Sequence, residues 1–406
     1  MPKNAALPET VGKNQMFTRD VNLSIIMRAF MKQSMSKVDV SRLFQLSKPT
    51  AAKIITELEE LEFICEDSEC DLSRNTPGAK PLKYKLNENF GMFAVLDMSS
   101  VDTHIQLCTL GGAVLLERTV TNKELITYAD IVSFCDAIDA LYAALPRKEK
   151  LLAVCVAMPC AVNGLTGAIE WSSRFEIDET FDLYAYLCNR YQNCEVLLRN
   201  DVQLMLSGEM YSGLLSKGDI RYALLVYIDA GLGGGFYFNG TIETGEEGKA
   251  GDLGFFPYLN RNGEYMYLDS VISINAIKKE LRRELANGKQ SLLRADNLHF
   301  SEIQNAYLQG DLLAKEVLEN TALETAKALQ SILEILNLNF IIISGRITRL
   351  GESYRSIVES TLQKRFPKVR VKYSNIQTSA IHEGALLVVS ERIIEKVISN
   401  RSKKNQ

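Results

Sequence analysis

Val38-Asp-Val-Ser-Arg-Leu-Phe-Gln-Leu-Ser47-Lys48-Pro49-Thr50-Ala-Ala-Lys53-Ile-Ile-Thr-Glu-Leu-Glu-Glu-Leu-Glu-Phe63 reads as two short helices joined by a tight turn. Ser47 suits an N-cap, because its hydroxyl accepts from backbone N–H groups that have no partner in the first turn. Pro49 fits that same turn, where a missing N–H costs nothing. The helix it opens is expected to run to about Leu61. Before it, Lys37 to Leu46 reads as a helix with Val38, Leu43 and Phe44 facing inward. Earlier still, Leu23, Ile26, Met27 and Phe30 recur at helical spacing within Val21 to Lys32. After it, Phe63–Glu66 and Leu82–Leu86 read as strands, separated by the turn signal Asn75-Thr76-Pro77-Gly78. Three helices and a hairpin describe a winged helix-turn-helix.

Charge is segregated along this part. Basic side chains between residues 10 and 56, among them Lys13, Arg19, Lys32, Lys37, Arg42, Lys48 and Lys53, face only Asp20 and Asp39, whereas residues 57–71 hold eight acids and no base. The expected wing, residues 72–87, holds Arg74, Lys80, Lys83 and Lys85 with no acid. Basic groups thus coincide with the two elements that touch DNA in such a fold. Lys48, Thr50 and Lys53 are assigned to the groove-facing side of the third helix. Ser47 and Thr50 suit phosphate, and Arg74 and Lys80 suit the backbone or minor groove. The competing interpretation is a small helical domain with a solvated charged face.

The 406 residues, 46% of them hydrophobic, suffice for two or three domains. A net charge of −4 excludes a chain that binds polyanions over its whole surface. No run of about 18 apolar residues and no apolar signal core appear, so a cytoplasmic protein with no membrane partner is expected. The eight cysteines form no Cys-x-x-Cys pair and read as buried free thiols, and the three histidines are far apart. Neither set suggests a metal site.

From Met92 the pattern becomes α/β. Phe93–Asp97, Ile105–Thr109 and Ala113–Arg118 read as an antiparallel meander. A helix near Tyr128–Leu145 and strands Leu151–Met158 and Glu195–Leu198 follow. The theme repeats at Arg221–Ile228, a glycine turn Gly231–Gly235, and Phe236–Phe238. A helix at about Asp311–Leu336, the strand Phe340–Ser344 and a last helix from about His382 complete a duplicated body with a cleft between lobes.

Arg199-Asn200-Asp201, Ser207-Gly208-Glu209 and Gly248-Lys-Ala-Gly-Asp-Leu-Gly254 carry a resemblance to the ROK family (repressors, open reading frames and sugar kinases), and with Leu46-Ser-Lys-Pro-Thr50 the whole chain resembles its transcriptional repressors. The resemblance implies a winged helix-turn-helix over residues 1–90 and an actin-like, two-lobed sugar-kinase (ATPase-type) fold. The lobes would be 91–204 plus 382–400, and 205–381. Kinase members grip phosphate with glycine-rich loops. The matching segments here are Asp97-Met-Ser-Ser-Val101, Asp229-Ala-Gly-Leu-Gly233 and Ser344-Gly345-Arg346. Side chains obstruct the close backbone approach that glycine permits, and Asp229 repels phosphate. No nucleotide cofactor and no enzyme activity are expected. The family's zinc ligands are also missing: Phe255 stands at the histidine position and Leu259–Tyr267 lacks cysteine.

Asn200 and Asp201 match the family's sugar-site pair. Asp201 stands at the base position of the kinases, with a binding role here. Asp252 and Asp269 match two sugar-site glutamates, Phe255 forms an apolar wall, and Ser173 and Arg174 fall in a further ligand loop. The pocket is expected to take a small carbohydrate or sugar derivative, with Arg174 suited to an anionic one. The bland alternative makes these residues turn and interlobe groups. The function implied is a sugar-responsive regulator, a repressor of carbohydrate-utilisation genes acting on a double-stranded operator as a homodimer or homotetramer. Lobe closure by the effector would change the placement of the DNA-binding domains. A sugar kinase with a fused DNA-binding domain and an effector-independent DNA-binding protein stay open as alternatives.

Overall fold

A computed structural model describes residues 15–67, 82–100, 102–121, 125–146, 149–163, 166–169, 175, 182–259 and 263–404. The described residues up to Leu86 form three helices and three short strands: α1 (Gln15–Phe30), β1 (Met35–Ser36), α2 (Lys37–Leu43), α3 (Lys48–Glu60), β2 (Ile64–Glu66) and β3 (Lys83–Leu86). Strand β3 lies between β1 and β2 and is antiparallel to both. Leu23, Ile26, Met27 and Phe30 bury as their spacing predicts, in one core with Ile54, Ile55, Leu58 and Phe63.

Helix α2 departs from expectation. It ends at Leu43, Val38 and Leu43 are 54% and 52% exposed, Phe44 is half-buried, and Val40 is the buried residue. The cause is its start. Ser36 and Asp39 cap each other reciprocally, with Asp39 N–H donating to Ser36 Oγ at 3.1 Å and Ser36 N–H to Asp39 Oδ2 at 3.0 Å. This box sets the rotational phase of a helix only two turns long, and it turns Val40 inward. Strand β1, too short to show alternation, was not legible in the sequence.

The body begins with β4 (Met92–Asp97), β5 (Asp102–Thr109), β6 (Val114–Thr121), α4 (Tyr128–Ala144), β7 (Leu151–Met158), α5 (Leu183–Arg190), β8 (Glu195–Asn200) and α6 (Asp201–Tyr211). It continues with β9 (Tyr222–Ile228), β10 (Leu232–Phe238), β11 (Thr241–Glu243), β12 (Pro257–Leu259), β13 (Tyr265–Tyr267), α7 (Asp269–Ile272), α8 (Ile274–Ala286), α9 (Phe300–Leu308) and α10 (Leu312–Leu336). Strand β14 (Phe340–Ser344), α11 (Glu352–Gln363), β15 (Arg370–Tyr373) and α12 (Ala380–Lys404) follow.

Two five-stranded sheets share one plan, in the orders β6-β5-β4-β7-β8 and β11-β10-β9-β14-β15. In each, an antiparallel meander is extended by two parallel strands. The repeated meander expected from the sequence is thus present. The glycine turn is not: β10 runs straight through Gly233, Gly234 and Gly235, and the chain reverses earlier, with Asp229 N–H donating to Gly231 O at 2.9 Å. The glycines serve packing instead. A Cβ on Gly233 would lie 2.7 Å from Val202 Cγ2 of α6, and one on Gly234 would lie 2.8 Å from Gly251 O.

Helices α6 and α12 cross in backbone contact. A Cβ on Gly384 would fall 1.9 Å from Leu204 O, and one on Gly208 would fall 2.4 Å from Ala380 O. The expected domain limits at 204/205 and 381/382 fall inside these two helices. Helix α12 also packs on α1 of the N-terminal module. Among the described residues no helix is long and apolar enough to cross a membrane.

Candidate functional site

Strand β8 delivers Asn200 to the start of α6, where it is the N-cap. Gln203 N–H donates to Asn200 Oδ1 at 3.0 Å, and Asn200 Nδ2 donates to Cys160 O at 3.0 Å. Asp201, the first residue of the helix, is buried, and Val202 N–H donates to its Oδ1 at 2.8 Å. A carboxylate here is favoured by the helix dipole. Gln203 Nε2 donates to Gly248 O at 3.1 Å, which ties the glycine-rich segment to α6.

That segment ends beside Asp252, which is exposed, and a short 3-10 turn, Leu253–Phe255, follows. Gly254 sits between two acids: a Cβ there would be 3.6 Å from Asp252 Oδ1 and 3.8 Å from Asp269 Cβ. Asp269 opens α7, and Leu232 N–H donates to its Oδ1 at 2.8 Å. Burial pushes its carboxyl above the ordinary range, and that N–H bond opposes the shift. Phe255 is 48% exposed and meets Tyr267 edge to face at 5.5 Å. Cys160 joins the group: burial pushes its thiol up to about 12, and the nearby charges of Asp201 and Asp252 add to the shift. The structure therefore brings Asn200, Asp201, Asp252, Phe255 and Asp269 into one neighbourhood. Ser173 and Arg174 lie outside the described residues.

The loops matching the kinase phosphate grips are held by bonds within the protein. Ser99 N–H donates to Asp97 Oδ1 at 2.9 Å, Met98 N–H to Ala157 O at 3.1 Å, and Ser100 Oγ–H to Asp102 O at 2.7 Å. Asp229 accepts from Ala230 N–H at 2.7 Å, and Arg346 closes on it from the end of β14. Arg346 Nε lies 2.8 and 3.0 Å from the two Asp229 oxygens, its backbone N–H donates to Oδ2 at 3.0 Å, and Nη2 also pairs with Oδ1. Asp229 raises the guanidinium pKa. Lys278 of α8 is pushed down by burial and by the charges of Arg346 and Arg282. Tyr227 is held protonated by burial, with Asp229, Asp201 and Asp97 nearby.

A cavity of 800 Å³ lies elsewhere, lined among others by Tyr184, Glu195, Arg199, Ser207 and Arg392, and none of Asn200, Asp201, Asp252 and Asp269 lines it. Its Glu195 is already paired with Arg392 at 2.8 Å and Lys396 at 2.6 Å. The polar groups at the head of α6 converge outside this cavity.

In the N-terminal module Ser47 caps α3, with Thr50 N–H donating to its Oγ at 3.3 Å and the two hydroxyls 2.7 Å apart. Ser47, Lys48, Thr50 and Lys53 are exposed on one side, while Ala51, Ile54, Ile55 and Leu58 bury the other. Arg74 and Lys80 lie outside the described residues. Sequence reasoning missed the Asp229–Arg346 pair. The available signal was that two glycine-loop departures carry opposite charges.

The model described as ROK family matches residues 95–392. The chain is 24% identical over 359 residues to the N-acetylglucosamine repressor of Shigella flexneri, covering 86% of each. A solved ROK family transcriptional regulator, a homolog of the Escherichia coli MLC protein, superposes with a TM-score of 0.75 at 21% identity over 94% of this chain and 99% of its own. A solved putative sugar kinase from Cytophaga hutchinsonii superposes with a TM-score of 0.61 at 18% identity, over 74% of this chain and 99% of its own.

Proposed function

The chain belongs to the ROK family, and from that premise we propose that it is a sugar-responsive transcriptional regulator, a repressor of carbohydrate-utilisation genes without kinase activity. The N-terminal module is a winged helix that reads double-stranded DNA. Lys48 and Lys53 meet phosphate or base edges from the capped end of α3, Ser47 and Thr50 donate to phosphate, and Arg74 and Lys80 serve the wing. Asn200, Asp201, Asp252 and Asp269 accept from the hydroxyls of a small carbohydrate effector, beside the apolar wall of Phe255. Ser173 and Arg174 are assigned to the same ligand. A homodimer presents two reading helices to two half-sites, and lobe closure shifts their spacing by differential affinity for the two states.

The observation that carries this function is the amphipathic division of α3, with its capped basic end exposed and its apolar side buried. Two features support it. The repressor and regulator relatives match over more of this chain than the kinase does. The place where a kinase needs bare backbone is filled by Asp229 and Arg346. Selection of duplexes from a random library by the wild-type protein, followed by salt titration, provides the test. The Lys48→Ala, Lys53→Ala variant is expected to bind the selected duplex more weakly and to reduce the log–log salt slope by about 2 for each protomer bound. An unchanged slope removes these residues from the interface. ATP consumption with a sugar panel is expected to stay at background, and turnover overturns the non-enzymatic assignment.

A further inference from the structure

We propose that Arg401 is a positioning residue for the DNA-contacting helix α3, tying it through α12 to the effector cleft. Arg401 lies near the end of α12, yet its guanidinium reaches two helices of the N-terminal module. Nη1 is 2.7 Å from Asp20 Oδ1 on α1, and Nε pairs with Glu57 Oε1 on α3. The other oxygen of Glu57 takes Arg19 Nη2 at 2.5 Å. Charges therefore alternate in the order Asp20, Arg401, Glu57, Arg19. The side chains of Arg401 and Glu57 are 12% and 14% exposed, so solvent and salt screen this pair less than a surface pair. Glu57 is also the first of the acids that follow the basic half of the module, a cluster the DNA interface itself does not use.

A second tie joins α1 to the middle of α12. Arg28 Nε lies 2.6 Å from Glu391 Oε1, and Nη2 pairs with Oε2. Two attachments ten residues apart on one helix are separated by roughly 15 Å, so the module resists rotation about either. At its other end α12 crosses α6 in backbone contact at Gly384 and Gly208, where no side chain provides slack. Helix α6 begins at Asn200 and Asp201. A tilt of α6 on ligand binding thus moves α12, and Arg401 carries α3 with it. The clasp fixes the separation of the two reading helices in a dimer, so its loss should affect recognition of two half-sites and spare recognition of one.

This inference rests on the DNA-binding function proposed above, and its test separates the two. Full-length wild type, Arg401→Met, Glu57→Gln and the double variant are compared on a library-selected duplex carrying two half-sites and on a truncated duplex carrying one. Each single change is expected to weaken two-half-site binding about tenfold while leaving one-half-site binding within about twofold, since only the linked second contact is lost. The double variant should lose less than the product of the two single losses, and Arg401→Lys should restore part of the affinity. Inserting base pairs between the half-sites should penalise wild type more than the variants. Unchanged two-half-site binding in Arg401→Met overturns the assignment. An equal loss on both duplexes also overturns it, because it marks a merely structural role. If wild type selects no duplex, or binds both lengths alike, the dimeric reader itself falls and the clasp with it.

Discussion

Asp229 and Asp269 flank the turn between β9 and β10, one donating its N–H to Gly231 O and the other accepting from Leu232 N–H. Their surroundings differ. Asp229 is gripped by Arg346 through side chain and backbone, a complete internal partner for a carboxylate. At Asp269 burial outweighs the single backbone bond, and the carboxyl pKa is raised. The difference separates a carboxylate engaged by the protein's own arginine from one whose charge burial penalises. A phosphate approaching that turn would meet the Asp229 carboxylate, already paired with Arg346.

The strongest way to break that contrast is Arg346→Ala. It strands a carboxylate whose side chain is only 13% exposed. The expected loss is about 2–3 kcal/mol in denaturant unfolding, reduced from the full buried-pair cost because Arg346 is partly exposed and two backbone donors stay. Asp229→Asn in the same chain should recover much of it, and no loss in Arg346→Ala would show that the pair is incidental. Next in size is Asn200→Ala, which removes the α6 cap at a cost of about 1 kcal/mol and should also abolish any thermal shift produced by a carbohydrate. A retained shift would move the ligand site away from the head of α6.

The smallest effect sharpens the contrast through pH. A carboxyl with a raised folded-state pKa stabilises the fold relative to its charged form below its unfolded pKa, and that contribution is lost as pH rises through the folded pKa. Asp269→Asn keeps an oxygen for Leu232 N–H and removes the titration. Its stability relative to wild type should therefore improve as pH rises from the ordinary carboxyl range through the raised folded-state value and level off above it, read from melting temperatures across that range. A pH-independent difference would show that burial does not penalise the Asp269 charge.

Much of this architecture was legible because it is local. The cap at Ser47, the apolar spacing of α1 and the strands of both meanders depend on residues a few positions apart. The failures are also physical. In α2 the Ser36–Asp39 box overruled the apolar pattern of a helix too short to average out a change of phase. In β10 three glycines imitated a turn, whereas the constraint on them came from Val202 and Gly251, distant in sequence. Within the candidate site, Asn200 and Asp201 were recognisable as a motif, but their convergence with Asp252 and Asp269 depends on how two sheets place their connecting loops.

By itself the sequence determined the order of elements, the basic face of α3, the duplicated α/β plan and the loss of glycine from the phosphate loops. These follow from side-chain periodicity, capping chemistry and residue identity, which act over one or two turns. Only the tertiary structure decided that Asp229 meets Arg346 across 117 positions, and that Arg401 reaches back 381 positions to Asp20 while also holding Glu57. Charges attract at contact distance and are screened by water beyond it, so their partners are set by packing and not by their place in the chain.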